Sequence, residues 1–306
     1  MVKSMNAAIA GLKSHQTKMD VLSNNIANVN TWGFKSRTTN FQDALYSNSI
    51  SGSAGATENG KLGGINTSQI GYGNTVSSIS TNYSTGSGQY TGNPLDCMID
   101  GTAFFIVGPF RGNAGNATAV EVGKIGESGL FLSRVGIFQP DSNGYLVDNT
   151  GNYVYGFEAD GAGNINTTKG LLPIRIPEDP NSTTNPKARY NIQTWTIGTD
   201  GTVVGVDETN VPHTIGKIAV ASVENPSGLE QNNGYLYKIG ANAGTVKGME
   251  TTSATGTIKS NFLEMSNVDL ASDIATMITT QRGYQANTKI ITVTDEMLEQ
   301  LVNMKR

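Results

Sequence analysis

The strongest constraint on this chain lies in its last stretch, Glu264 to Arg306. Leu270, Met277, Tyr284, Ile291 and Leu298 recur at every seventh position, with Ile274, Ile278, Leu301 and Val302 beside them. A seven-residue apolar repeat keeps one stripe of an α-helix turned toward a partner helix, which is the coiled-coil condition. Ser266-Asn267-Val268-Asp269 has the form of a capping box at the start, and no proline interrupts the run. Lys305 and Arg306 close it with positive charge, where the helix dipole favours a cation. At roughly 1.5 Å per residue such a helix is on the order of 55 Å long. It needs a partner to cover its stripe.

Residues 3–28 offer one. Met5, Leu12, Met19 and Ile26 keep the same seven-residue spacing, flanked by Ala8, Ile9 and Leu22, while Lys3, Asn6, Lys13, Gln16, Thr17, Asp20 and Asn24 make the other side polar. Read alone, this pattern also suits an amphipathic helix lying on a globular core. The shared period favours pairing of the two ends. Asn28, Asn30 and Gly33 suit a helix end, because Asn and Gly tolerate the left-handed conformation of a C-cap.

Between the ends the periodicity changes to that of strands. Asp100-Gly101, Asn143-Gly144, Asp148-Asn149-Thr150-Gly151 and Asp200-Gly201 are turn signals separating short β-rich runs such as Thr102 to Val107, Tyr153 to Phe157, Thr202 to Val206 and Ile215 to Val223. The expected fold is therefore a mainly β body with long N- and C-terminal α-helices that pair as a coiled coil. Residues 1–35 with 264–306 are assigned to the helical part and 91–157 with 190–263 to the β part. The glycine-rich stretch 36–90 reads as extended linker, although Gln69 to Val76 alternates like a strand. Residues 158–189, with Pro173, Pro177, Pro180 and Pro186, read as a short loop-rich insertion.

Charge and cysteine content narrow the chemistry. A formal net charge of −4 leaves no electrostatic footprint for nucleic acid. Cys97 is the one cysteine and lies among Leu95, Met98 and Ile99, which suits a small buried side chain. No run approaches the ~18 apolar residues of a membrane span. Met5 to Leu12 lacks the pattern of a cleaved signal peptide, which implies either the cytoplasm or export without one. His15 and His213 have no acid or cysteine at metal-ligand spacing, Gly161-Ala162-Gly163-Asn164-Ile165-Asn166 fails as a dinucleotide loop, and Asp141 to Gly144 lacks the later ligands of a calcium loop. No catalytic, metal or cofactor site is expected.

Several blocks carry a family resemblance. Ser23-Asn24-Asn25-Ile26-Ala27-Asn28-Val29-Asn30-Thr31-Trp32-Gly33-Phe34-Lys35 resembles the N-terminal signature of the bacterial flagellar rod and hook proteins. Leu263 to Leu270 and Met277 to Asn287 resemble the C-terminal signature. Thr91 to Gly101 with Phe104-Phe105, Ser133-Arg134-Val135-Gly136 with Gly144 to Val147, and Ala221 to Leu229 are similar to internal blocks of the same family.

The resemblance implies a non-enzymatic helical homopolymer whose paired terminal helices line an inner tube, and linker segments docked between subunits. It places Met5, Leu12, Met19, Ile26, Leu270, Met277, Tyr284, Ile291 and Leu298 at the assembly interface, and Asn25, Asn28, Gly33 and Phe34 in the turn leaving the first helix. It also implies residence in the flagellum outside the cell, reached through the flagellar type III apparatus. The hook subunit, a universal joint between rod and filament, is the preferred reading on Leu263 to Leu270, Thr279 to Asn287 and Gly63 to Gly71. Its partners would be the distal rod protein, the hook cap and the hook–filament junction proteins. The short insertion at 158–189, lacking a large outer domain, leaves the distal rod subunit as the alternative. A surface adhesin, a reading from another class, does not explain matched heptads at both ends.

Overall fold

The structure, a computed structural model, describes residues 2–53, 64–113, 116–121, 123, 125–159, 165, 170–176, 192–232, 234–249 and 256–304. Most of the expected insertion at 158–189 and the terminal cations Lys305 and Arg306 lie outside the described residues. The chain forms two compact units. One contains residues 1–29, 36–82 and 268–306, the other 30–35 and 83–267.

The first unit joins the two ends of the chain. Helix α1 runs Val2–Ala27 and helix α2 runs Leu270–Met304. Asp269, not Ser266, caps α2: its Oδ1 accepts the N–H groups of Ala271 at 3.1 Å and Ser272 at 3.3 Å. A carboxylate there satisfies orphan donors and also suits the helix dipole. Strands β1 (Arg37–Asp43), β2 (Tyr46–Ile50), β3 (Ser68–Gly71) and β4 (Asn74–Thr81) complete the unit. Residues 36–90, expected as extended linker, thus contain two antiparallel pairs, β1 with β4 and β2 with β3. The Thr and Ser residues of this glycine-rich stretch suit two-stranded ribbons wetted on their outer faces. Leu45, Tyr46, Ile50, Ile65 and Ile70 are exposed on the β2–β3 ribbon.

The second unit is built from short antiparallel strands. In chain order they are β5 (Gly88–Tyr90), β6 (Asp96–Asp100), β7 (Phe104–Gly108), β8 (Gly112–Asn113), β9 (Asn116–Ala117), β10 (Phe131–Ser133) and β11 (Gly136–Pro140). Next come β12 (Leu146–Asp148), β13 (Tyr153–Glu158), β14 (Leu172–Pro173), β15 (Ile192–Ile197), β16 (Thr202–Asp207), β17 (Pro212–Ile218) and β18 (Val220–Val223). The last are β19 (Leu229–Gln231), β20 (Leu236–Ile239), β21 (Val246–Met249), β22 (Thr257–Ser260) and β23 (Phe262–Glu264). Fifteen of them form one sheet system, whose main path is β19-β20-β10-β7-β13-β12-β11-β6-β22.

Strand β7 shows why this sheet folds around two cores. Side chains alternate across a strand, and here both faces are buried. Phe105 and Val107 enter a core with Cys97, Ile99, Phe138 and Val154. Phe104 and Ile106 enter a second one with Leu132, Tyr155 and Phe157. Cys97 is fully buried, as its apolar neighbours require, and burial pushes its thiol pKa up. Gly136 is needed where β11 crosses β6, because a Cβ there would lie 2.2 Å from the Cys97 carbonyl oxygen.

Candidate assembly site

The terminal helices meet in one antiparallel register. Asn25 Nδ2 lies 3.2 Å from Asp273 Oδ2. A Cβ on Gly283 would sit 2.9 Å from the His15 ring, and one on Gly11 would sit 2.6 Å from Asn287 Nδ2. Each step back along α1 is thus matched by an equal step forward along α2. Small residues at the crossing allow this close approach.

The seam inside the chain is not the strict heptad stripe. On α1 the buried positions are Ala8, Gly11, Ser14, Leu22 and Asn25, and on α2 they are Thr280 and Thr294, with Asp273, Met277, Gly283, Asn287 and Ile291 half-buried. Met5, Leu12, Met19 and Ile26 are each half-buried. Leu270, Tyr284 and Leu298 are exposed. A straight helix explains part of this, since a seven-residue repeat drifts by about 20° per heptad, or about 80° from Leu270 to Leu298. Register explains the rest. Leu298 follows Thr280 by about five turns and shares its face, but in this register Val2 already stands opposite Glu296. The last turns of α2 therefore run past the start of α1. Met297, Leu298, Leu301, Val302 and Met304 are exposed there.

Polar side chains hold the pair in place. His15 packs edge-on against Phe41 with ring centroids 6.0 Å apart. Burial, followed by the Lys18 charge, lowers its pKa from the ordinary histidine value, so it packs as a neutral ring. Asn25 has the most specific role. Its Nδ2 donates to the Arg37 carbonyl at 2.9 Å, and its Oδ1 accepts the Arg37 N–H at 3.1 Å. Asn82 N–H bonds the Ser36 carbonyl, so by strand alternation the Arg37 groups face the opposite edge of β1. The Asn25 carboxamide stands in for a missing strand there. Asn28 finishes α1, its N–H reaching the Asn24 and Asn25 carbonyls at 3.2 Å and its Nδ2 the Asn24 carbonyl at 2.9 Å. Among the four residues assigned to the exit turn, Asn25 is thus a clamp on β1 and not a turn residue.

Gly33 and Phe34 belong to the second unit. Gly33 has φ +65°, and its N–H donates to the Glu264 carbonyl at 2.8 Å. The Phe34 carbonyl accepts the Asn267 N–H at 3.4 Å. Beside them lies a feature that the sequence reading missed. Lys35, Arg134 and Glu264 are buried together, with Lys35 Nζ 2.6 Å from Glu264 Oε1 and Arg134 Nε 3.1 Å from Glu264 Oε2. Burial, reinforced by the Arg134 charge, pulls the Lys35 pKa down to about 8. The available signal was a charged residue inside each of three motif blocks, Lys35 in Ser23 to Lys35, Arg134 in Ser133 to Gly136 and Glu264 in Leu263 to Leu270.

Two chain ends folded into one helical unit, with apolar side chains left on its surface, define a structural subunit made to associate. The similarities to known proteins agree in kind. The family described as "Flagella basal body rod protein" matches residues 5–35, and "Flagellar basal body rod FlgEFG protein C-terminal" matches residues 259–304. The chain is 40% identical to the flagellar basal-body rod protein FlgG of Bacillus subtilis (strain 168) over 309 residues, covering all of both. It is 29% identical to the FlgG of Borreliella burgdorferi over 310 residues and 27% identical to that organism's flagellar hook protein FlgE over 461, each time covering all of both chains. The chain belongs to the flagellar basal-body rod and hook family. It is a structural component of the flagellum and not an enzyme. Subunits of this family polymerise, and among the described residues no helix is long and apolar enough to cross a membrane.

Proposed function

We propose that this chain is a rod subunit of the flagellar basal body, the distal rod in particular, and that it polymerises with copies of itself. This replaces the preference for the hook drawn from the short motif blocks. The observation that carries it is length. The rod relatives align over 309 and 310 residues, almost the 306 of this chain, whereas the hook relative needs 461. The hook relative therefore contains a long insert that this chain lacks, and signatures shared by rod and hook cannot separate the two.

In this reading the nine heptad residues serve contacts between copies. Leu270, Tyr284 and Leu298 are already exposed for such contacts, and half-buried Met5, Leu12, Met19, Ile26, Met277 and Ile291 line the rim of the seam. A coiled coil would then form between chains, where supercoiling absorbs the drift that a straight pair within one chain cannot. The polar ribbons of residues 37–81 would lie between neighbours. Export would use the flagellar apparatus, and the neighbours along the axis would be other rod and hook subunits.

Immunogold electron microscopy of purified hook–basal bodies tests the assignment. Label confined to the rod is expected, and label along the curved hook would overturn it.

A further inference from the structure

The connections to the second unit converge on one buried carboxylate. The chain passes between the two units at 29/30, 35/36, 82/83 and 267/268. Three short segments of the second unit border these passages: 30–35, the stretch from 83, and the stretch ending at 267. All three are tied to Glu264 or its immediate neighbours. Lys35 donates to Glu264 Oε1 and to the Ser84 carbonyl, at 2.6 and 2.8 Å. Gly86 N–H donates to the same Oε1 at 2.9 Å. Gly33 N–H bonds the Glu264 carbonyl, Met265 N–H bonds the Ser87 carbonyl at 2.8 Å, and Asn267 N–H reaches the Phe34 carbonyl. Gly86 also lies so close that a Cβ on it would meet the Met265 carbonyl oxygen at 2.1 Å.

Arg134 fixes this knot to the sheet. It donates to the carbonyls of Ala103 and Gly101, next to β7, and its guanidinium lies over the Phe104 ring at 5.4 Å. Its Nε faces Glu264 Oε2 at contact distance, although the N–H is not aimed at that oxygen. The aligned bond comes from Arg134 Nη2, which donates to Glu264 Oε1 at 3.4 Å. The side chains of Lys35, Arg134 and Glu264 are all within 1% of full burial.

We propose that Glu264, with Lys35 and Arg134, forms a latch that holds the entry and exit segments of the second unit together at one point of its sheet. The charge count ranks its members. One carboxylate serves two cations, so neutralising Glu264 leaves two buried positive charges with no counter-charge. Removing Lys35 leaves a balanced Arg134–Glu264 pair. Breaking a buried pair at the group that both partners need is the costlier change. If the chain is an axial subunit, as proposed above, a pull on any connection of the second unit reaches the sheet through these residues.

Hydrogen exchange of the full chain, resolved by segment, tests the latch. Glu264→Gln is expected to speed exchange at least about tenfold in 30–35, 83–87 and 262–267 together, while amides of β7 keep their protection. Lys35→Met is expected to speed exchange in 30–35 and 83–87 by a smaller factor. Two results overturn the proposal: unchanged exchange in all three segments, or equal acceleration in β7, which would make the cluster an ordinary core element. If Glu264→Gln fails to fold, Lys35→Met alone decides, since wild-type or uniformly raised exchange in that variant is equally fatal. A hook in place of a rod, or no polymer at all, would leave these outcomes unaffected.

Discussion

Replacing Asn25 with aspartate is nearly isosteric, and it should be among the most damaging single changes in the terminal unit. Asn25 is 2% exposed and donates twice through Nδ2, to the Arg37 carbonyl at 2.9 Å and to Asp273 Oδ2 at 3.2 Å. In Asn25→Asp both contacts become oxygen against oxygen. Loss of the bond to Arg37 costs about 1–2 kcal/mol. Two carboxylates 3.2 Å apart repel by about 2.5 kcal/mol at an effective dielectric of about 40, suited to a part-buried pair. The sum of about 4 kcal/mol corresponds to roughly a thousandfold in the opening equilibrium. Asn25→Ala loses both donations and also the acceptor of the Arg37 N–H, without the repulsion, and should cost about 2–3 kcal/mol.

The electrostatic part has a pH signature. The introduced carboxyl has a raised folded-state pKa beside Asp273, so the variant's deficit is present at neutral pH. It shrinks as pH falls through that raised value and is gone below about pH 4, where the carboxyl is protonated in both states and donates again in the folded one. The assay is urea unfolding of the full chain followed by its helix signal, at neutral and acid pH, with Asp273→Asn as second-site partner. Recovery of about 2 kcal/mol in the double variant is expected, by relief of that repulsion. The reasoning fails if Asn25→Asp is milder than Asn25→Ala, or if Asp273→Asn restores nothing.

Two further outcomes follow from the second unit. Burial holds the Lys35 pKa near 8 in the folded chain against 10.5 in the unfolded one, so between these values the unfolded chain binds the extra proton and stability rises with pH. Across that window the gain is about 3 kcal/mol, and a pH series of unfolding should show it in the wild type and not in Lys35→Met. At Gly33, φ is +65° and a Cβ would meet Val135 Cγ2 at 2.9 Å, whereas Gly151 has φ +83° with open space around it. Thermal unfolding should therefore show Gly151→Ala costing about 1 kcal/mol for backbone conformation alone and Gly33→Ala about 2–4 kcal/mol; equal costs would remove the steric part of the argument.

Helices at both ends and a β body between them were legible because each rests on a local period. The seven-residue recurrence from Leu270 to Leu298 and the alternation of Phe104 to Val107 need only neighbours along the chain to express themselves. The family was legible too, since its signatures are contiguous blocks such as Ser23 to Lys35. The mispredicted cap was a local ambiguity: Ser266 and Asp269 both suit an N-cap, and the backbone chose the second.

What the tertiary structure decided is everything that depends on which side chains meet across long stretches of chain. Periodicity marked Leu298 as a seam residue, but only the antiparallel register shows that α1 has ended before reaching it. Glycine at 283 is costly inside a helix, and only the register shows the His15 ring that a larger side chain there would meet. Lys35, Arg134 and Glu264 are far apart in sequence, and each looks like an ordinary surface charge in its own block. Their burial together arises from sheet topology, and a one-dimensional pattern has no term for a charge whose partner lies more than a hundred residues away. Rod and hook share the same local motifs, so the proposal that separates them rests on whole-chain length. The sequence by itself determined what kinds of element this protein makes. Register and topology decided which faces of those elements remain for other molecules.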